Sequence, residues 1–523
     1  MRAGYPPPNL RGWEARTVFG RMLLNSKERA ETPREQGPLL YDLEDSMKNG
    51  ELSRRMFLGA GGAFALLNGG CAFRAPAGLF GGGAAKVRFG VISDVHIREP
   101  GDERHLLGAL RFFRERGADG VMVAGDIADQ GRISQLKIFA DAWYSVFPDD
   151  RGLDGQKVEK LFIYGNHDIW GATNDPELAK RRDGIGYDDA RPARVWEELF
   201  DEPYSDFWIK HVKGYAFVGA HWTKKDQFDG LGDFLKAHAK ELDPAKPFFY
   251  TQHSHPGGTC IGPWVWGHDN GASTRALSNY PNAVAFSGHS HTPLTDERSV
   301  WQGAFTSVNT SSLRYCTSLY PLRENGWKND FGFKGERRKR LMEPLRDAGT
   351  RQGMLVSVYG GELAIERRDF VSGLPLGPDW LVSVPARGDW SFAARAAGRM
   401  PPQFAPDARL AVKTEGRLLR LDFPAARTVA NCRVFEYEVT ATLVEDGVDL
   451  VQVQRRVLAP DFARAESSSG TPGCCVLSPA EIPVKGHTVF SVRPLDSFGL
   501  KGEPIAAEFD TSKLNPKLEE KQA

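Results

Sequence analysis

Residues 161–170 read "LFIYGNHDIW". Four apolar residues in a row predict a buried strand, which Gly165 breaks. Asn166, His167 and Asp168 follow at once, so an amide, an imidazole and a carboxylate crowd one strand tip. The design recurs along the chain. "FGVISDVH" ends in Asp94 and His96, "VMVAGDIAD" in Asp126, "FFYTQHSH" in His253 and His255, and "AVAFSGHSH" in His289 and His291. Between these runs lie helix-like segments such as "LLGALRFFRERG" at 106–117, whose apolar residues recur at helical spacing. Apolar strands alternating with helices predict βαβ units, an α/β class and a largely parallel sheet, continuing to about residue 320. In open α/β sheets ligands collect at the carboxyl ends of the strands, so the polar tips are expected to converge on one cleft.

The residues at those tips are oxygen and imidazole donors with no thiolate among them. Such a set suits Mn, Fe, Zn or Co in a reactive site better than a structural zinc, which favours cysteine. Two ions sharing a bridge need about seven or eight donors. Asp94, His96, Asp126, Asn166, His253, His289 and His291 supply seven. A carboxylate can bridge two cations, which makes Asp126 the natural shared ligand. Each piece alone has a blander reading, a turn or a local hydrogen bond. The order of all five, each after an apolar run, does not. Of 12 histidines six stand in these motifs, and His105, His211, His221, His238, His268 and His487 read as structural or surface residues.

The order D-x-H, GD, GNHD, H, GHSH resembles the calcineurin-like metallophosphoesterases over roughly residues 86–320. The resemblance implies a β-sandwich of two mixed sheets flanked by helices, with a two-metal site at the strand ends. It would give Asp94, His96, Asp126 and His291 to the first metal, and Asp126, Asn166, His253 and His289 to the second. His167 matches the family's catalytic histidine, with Asp168 as its support. Two departures narrow the branch. Asp129 stands where purple acid phosphatases carry a metal-bound tyrosine, and Gln130 where protein Ser/Thr phosphatases clamp phosphate with arginine, with Arg132 two residues on. The pattern is most similar to the bacterial phosphodiesterase-like branch. The implied chemistry is attack on phosphorus by a metal-bridged hydroxide, with His167 donating to the phosphate or to the leaving oxygen. Candidate residues at the pocket rim are Arg132, Trp170, His255, Trp266 and Arg314. Two alternatives stand beside a phosphodiesterase: a phosphomonoesterase or nucleotidase, and a metal-bearing surface scaffold that binds without turnover.

The flanks carry other signals. Lys+Arg and Asp+Glu are both 67, so no basic field favours nucleic acid. "SRRMFL" at 53–58, followed by a short Gly/Ala-rich apolar run, has the form of a twin-arginine export signal. That run is too short and glycine-rich to span a bilayer well. The expected destination is the periplasm or cell surface, reached through the twin-arginine machinery. Cleavage after "APA" at 75–77 competes with a lipid anchor on Cys71, where Asn68 replaces the usual lipobox leucine. Residues 1–46 precede Met47 and read as a disordered extension or a mis-assigned start, and 47–85 as signal and linker. The catalytic domain is expected over 86–375, closed by a hairpin at 353–370, with "KNDFGFKGERRKRLMEPLRDAG" before it as an exposed helix or loop. Residues 385–512 read as a C-terminal all-β sandwich, and 513–523 as a tail. In "FEYEVTATL" at 435–443 apolar residues alternate with Glu436, Glu438, Thr440 and Thr442, a strand with one buried face. "FSVRPLDSFGLKGEP" loosely resembles the last-strand region of fibronectin type III domains. That domain shows no acid or histidine cluster and is assigned no chemistry; a chain ending near residue 380 is expected to keep its metals if it folds, and to be less soluble because the domain interface is exposed. The six cysteines form no CxxC pair and leave room for one or two disulfides.

Overall fold

The computed structural model describes residues 83–174, 180, 182–223, 228–261, 267–318, 345–347, 349–416, 418–427, 433–446, 448–465, 470–482 and 484–514. All fall within one compact unit, Phe73–Ala523. The twin-arginine segment, Cys71 and Trp266 lie outside the described residues.

β1 (Val87–Ile92) is covered on both faces from Phe89 onward, as its apolar run past Arg88 requires. α1 (Arg104–Glu115) buries Leu106, Ala109, Leu110 and Phe113 along one stripe. β2 (Gly120–Ala124) then pairs parallel with β1, and after α2 (Ile133–Val146) β3 (Glu159–Ile163) pairs parallel with β2. α3 (Asn166–Asn174) and α4 (Arg191–Phe200) lead to a second sheet. There β4 (Phe207–Val212) and β5 (Tyr215–Ala220) form a hairpin. β6 (Phe248–Thr251), reached through α5 (Leu231–Ala237), lies parallel to β5, and β7 (Ala283–Ser287), reached through α6 (Ala272–Leu277), parallel to β6. β8 (Val300–Gln302) and β9 (Thr306–Asn309) finish it in the order β4-β5-β6-β7-β9-β8. β10 (Cys316–Ser318) and β11 (Leu345–Asp347) pair separately.

β12 (Gln352–Val358) and β13 (Glu362–Asp369) are the expected hairpin, and β12 inserts antiparallel beside β1. β14 (Leu374–Pro375) and β15 (Trp380–Ser383) both pair with β13, so this sheet runs on to Ser383, past the expected boundary at 375. The βαβ alternation suggested one largely parallel sheet; the structure has two mixed ones, because β12 and the β4–β5 hairpin run against their neighbours. The sheets pack face to face. Phe89 of β1 meets Phe217, Phe249 and Phe286 of the second sheet at ring distances of 5.1, 4.8 and 5.8 Å.

Past α7 (Phe392–Ala396) the described residues form strands, with short 3-10 turns at Pro479–Glu481 and Thr511–Lys513. β16 (Ala411–Glu415), β17 (Leu418–Phe423), β18 (Val434–Glu445), β19 (Val448–Leu458), β20 (Gly473–Leu477), β21 (His487–Asp496) and β22 (Ile505–Asp510) form two antiparallel sheets. Their orders are β16-β17-β20 and β19-β18-β21-β22. Leu419, Leu421 and Phe423 share a core with Phe435, Tyr437, Val439, Phe490 and Val492. Glu436 and Glu438, expected on a solvated face, are buried too; Arg456 bonds both at 2.8 Å. Among the described residues Cys260, Cys316, Cys474 and Cys475 are not joined in disulfides.

Candidate metal centre

The polar tips converge because β1, β2 and β3 of one sheet and β6 and β7 of the other end on the same rim. Asp94 and His96 follow β1, Asp126 follows β2, and Asn166 and His167 open α3 after β3. His253 follows β6, and His289 and His291 follow β7. To aim inward from such short loops the backbone is bent. Asp94, His96, Asp126, His289 and His291 have φ of 52°, 48°, 52°, 68° and 54°, the left-handed region that L-residues avoid. Each such residue stores roughly 1–3 kcal/mol that the surrounding fold must offset, and such strain gathers at functional sites. The motif glycines allow the loops to touch. A Cβ on Gly165 would lie 2.2 Å from Asp126 Oδ1, and one on Gly288 would lie 2.3 Å from Asp94 Oδ2.

Asp94, Asp126, His96, His253 and His291 each have one side tied down and the other turned to the centre. Asp94 Oδ2 accepts from Ser93 Oγ at 2.6 Å and from the His289 N–H at 3.0 Å. Asp126 Oδ1 accepts the His167 N–H at 2.9 Å. The Nδ1 atoms of His96, His253 and His291 donate to Asp129 Oδ1, the Ala124 carbonyl and the Tyr315 carbonyl at 3.1, 2.7 and 3.0 Å. Because these partners are acceptors, each ring carries a proton on Nδ1 and turns Nε2 toward the centre. His291 Nε2 lies 2.9 Å from Asp94 Oδ1, and His253 Nε2 lies 3.0 Å from Asp126 Oδ2. His96 Nε2 stands 3.6 Å from that same Asp126 oxygen.

Asn166 Oδ1 is buried without a hydrogen bond, and Asp94 Oδ1 and His253 Nε2, buried too, have other donor atoms of the centre beside them. A buried acceptor left unpaired is costly, and a cation would satisfy it. Donor atoms of Asp94, His96 and His291 lie within 4.8 Å of one another, as do those of His96, Asp126 and His167 and those of Asp126, His253 and His289. His96 joins the first group to the second and Asp126 the second to the third, with Asp126 Oδ2 facing His96 on one side and His253 on the other. Electrostatics agree. Burial works to raise the Asp94 carboxyl, yet His291 and His253 hold it well below the usual carboxylate range. Burial works to lower His253, yet Asp126 and Asp94 lift it to about 9. Burial, with the charge of His253, pushes His289 down to about 3. The centre is short of positive charge, which ring protons partly supply and metal ions would supply fully.

The remaining sequence candidates divide. His167 stands edge-on to His96, ring centroids 4.6 Å apart, and its Nδ1 donates to the Asp129 carbonyl at 2.8 Å. Its tautomer is therefore set by Asp129, not by Asp168. The Asp168 carboxylate accepts the backbone N–H groups of Ile127, Ala128 and Gly165 at 3.2, 2.7 and 2.8 Å, bracing two motif loops against each other. His255 does not reach a pocket. It is fully buried, with Nδ1 on Ser287 Oγ and Nε2 on Ser290 Oγ, both at 2.8 Å. Arg132 pairs with Asp183 at 2.8 Å and Arg314 with Asp102 at 2.5 Å. Trp170 packs edge-on to Trp222 at 5.3 Å.

Several contributors escaped the sequence reading. Trp222 lies 5.8 Å from His289 and 6.0 Å from His253, ring to ring. Tyr315 lies 4.4 Å from the His291 ring and supplies its carbonyl. Asp129 was noticed only for what it is not. The one available signal for Trp222 is its place just past β5, a sixth strand tip on the same rim.

Residues 87–293 match the family model described as calcineurin-like phosphoesterase. No curated protein matches the chain. Among solved structures the chain is similar to a dimetal phosphatase from Danio rerio, at 12% identity over 57% of this chain and 99% of that one, with a TM-score of 0.33. It is also similar to a purple acid phosphatase from yellow lupin, Lupinus luteus, at 14% identity over 57% and 53% of the two chains, TM-score 0.38. A third is GAP50, the anchor in the inner membrane complex of Plasmodium, at 10% identity over 58% and 90%, TM-score 0.33.

Proposed function

From a chain that carries a calcineurin-like phosphoesterase domain, and is thereby a phosphoric ester hydrolase, we propose an exported phosphodiesterase working with two metal ions. The observation that carries the reading is the run of three donor groups, Asp94–His96–His291, His96–Asp126–His167 and Asp126–His253–His289, linked through His96 and Asp126. Asp94, His96, Asp126 and His291 would hold one ion, and Asp126, Asn166, His253 and His289 the other. Ions so held would neutralise phosphoryl oxygens and bring the pKa of a water toward neutrality. The protein's own part is positional. Asp126, anchored by the His167 N–H, fixes the spacing of the two sites. His167, anchored by the Asp129 carbonyl, keeps Nε2 for the ester. Burial favours its neutral ring, and an anionic ester bound beside it favours the charged ring that can give a proton to the leaving oxygen.

Preference for a diester rests on charge. Arg98, Arg132 and Arg314, the arginines beside the motifs, are each paired with a carboxylate: Asp129, Asp183 and Asp102. Cations already offset in this way suit an ester with one negative charge better than a monoester with two. Export rests on the twin-arginine segment, and a lipid anchor on Cys71 stays the alternative to cleavage. The three-on-four strand order of the C-terminal sheets supports the fibronectin type III-like reading.

With Mn supplied, the protein is expected to hydrolyse bis(p-nitrophenyl) phosphate faster than p-nitrophenyl phosphate. His167→Ala should keep both metals and lose about 10²–10⁴ in turnover. The loss should shrink for p-nitrophenolate and grow for an alkyl leaving group. Equal losses for both would make His167 a phosphate-positioning residue, and loss of a metal would make it a ligand. A faster monoester reaction would move the assignment to the monoesterase reading.

A further inference from the structure

We infer that the C-terminal β-sandwich is part of the metal centre's scaffold, coupled to the His291 site through Gln352 and Thr295. The inference rests on the two-metal reading of that site.

The segment after His291 is held residue by residue. The Thr292 carbonyl accepts from Asn309 Nδ2 at 2.8 Å, and the Leu294 carbonyl accepts from Arg367 Nη1 at 2.8 Å. The Leu294 N–H donates to Gln352 Oε1 at 2.7 Å, and Ser311 Oγ donates to the same oxygen at 3.2 Å. The other end of that amide crosses into the sandwich: Gln352 Nε2 donates to the Ala463 carbonyl at 2.5 Å. Next to it, Thr295 Oγ1 donates to the Phe462 carbonyl at 2.7 Å. Gln352, Thr295, Phe462 and Ala463 are all buried, so water does not replace these partners.

Gln352 also touches the other end of the site. Its N–H donates to the Ser312 carbonyl at 2.9 Å, and Ser312 Oγ donates to the Asp94 carbonyl at 3.1 Å. A third link runs through β10. The Thr317 N–H donates to the His291 carbonyl at 2.8 Å, and the Tyr315 carbonyl holds His291 Nδ1. Cys316, between them, is packed in the sandwich core with Phe435 and Phe462. Arg433 of the sandwich donates to the Asp461 and Ala465 carbonyls and to the Leu376 carbonyl just past β14, which ties the turn that meets Gln352 to the first domain. Asp94 and His291 belong to one metal group; among the described residues neither Gln352 nor Thr295 hydrogen-bonds to His253 or Asn166. The coupling is therefore expected to be one-sided, with Gln352 and Thr295 as positioning residues for the Asp94–His96–His291 site.

The test uses the full-length, metal-stripped protein and titration calorimetry with Mn. Wild type, Thr295→Val and Gln352→Met are compared, with His291→Ala and His253→Ala marking which binding event belongs to which site. Circular dichroism and the melting point of each metal-free protein run alongside. The expected result is that Thr295→Val and Gln352→Met weaken the event lost in His291→Ala, by about tenfold or more. The event lost in His253→Ala should stay unchanged. If the melting point falls while both affinities hold, the contacts are structural only and the inference fails. Equal weakening of both events also overturns it. Should Gln352→Met not fold, the isosteric Thr295→Val decides alone. A wild type that binds a single ion would contradict the two-metal reading itself, an outcome distinct from the others.

Discussion

Asp126 has one oxygen tied to the His167 N–H and the other standing between two imidazoles. Asp126→Asn, which keeps the shape and removes the charge, should lower metal occupancy at both positions; His291→Ala should lower one. Metal analysis after dialysis distinguishes these, and a harmless Asp126→Asn would remove the bridge. His221 offers a test away from the metals. Its Nδ1 accepts the Tyr164 N–H at 3.0 Å, and Tyr164, Trp196 and Tyr204 surround the ring. Burial pushes its pKa down to about 3 from 6.5. The unfolded chain takes up a proton as pH falls through 6.5 and the folded chain does not. Its contribution to stability is therefore present above pH 6.5 and is lost progressively as pH falls toward 3. His221→Gln should make the unfolding midpoint less dependent on pH in that window; parallel curves would rule this out. At this scale the seven proposed ligands were legible, because each follows an apolar run in a fixed order. Their supports were not. The acceptors behind His253 and His291 are main-chain carbonyls of Ala124 and Tyr315, which leave no mark on residue identity.

At the scale of elements, loops packed this closely tolerate no added atom. Gly165→Ala would drive a methyl group to 2.2 Å from Asp126 Oδ1, at the junction of β3 and α3. The loop must shift. Displacing a reacting group by about 1 Å can lower turnover about 10²-fold. Turnover should fall by that order with circular dichroism unchanged, and wild-type activity in Gly165→Ala would contradict the close packing. The parallel strands β1, β2 and β3 were readable from the βαβ rhythm. The antiparallel entry of β12 beside β1 was not, since an isolated hairpin carries no sign of which strand it joins. Glu436 and Glu438 misled for a related reason. Period two identifies two faces of β18 but not whether the polar face is also covered, as Arg456 and Lys501 cover it here.

For the whole molecule, the sequence reading assigned the C-terminal sandwich no chemistry and expected a chain without it to keep its metals if it folds. The contacts of Gln352, Thr295 and Arg433 argue otherwise. Ending the chain after Ser383 would strip buried donors of their carbonyl partners, at about 1–3 kcal/mol for each unsatisfied group. Such a chain is expected to aggregate or to lose one metal, checked by solubility and metal content. A soluble fragment with both metals would show the sandwich to be dispensable. Export is tested by replacing Arg54 and Arg55 with lysine, which should hold precursor in the cytoplasm; normal export of the lysine pair would refute the twin-arginine reading. The most direct test of the two-metal phosphoesterase is a titration of the metal-stripped, full-length protein with Mn, following bound metal and bis(p-nitrophenyl) phosphate hydrolysis together. Binding should saturate near two ions per chain, with hydrolysis rising chiefly as the second ion enters and no such rise in Asp126→Asn. Saturation at one ion, or full activity in Asp126→Asn, would contradict it.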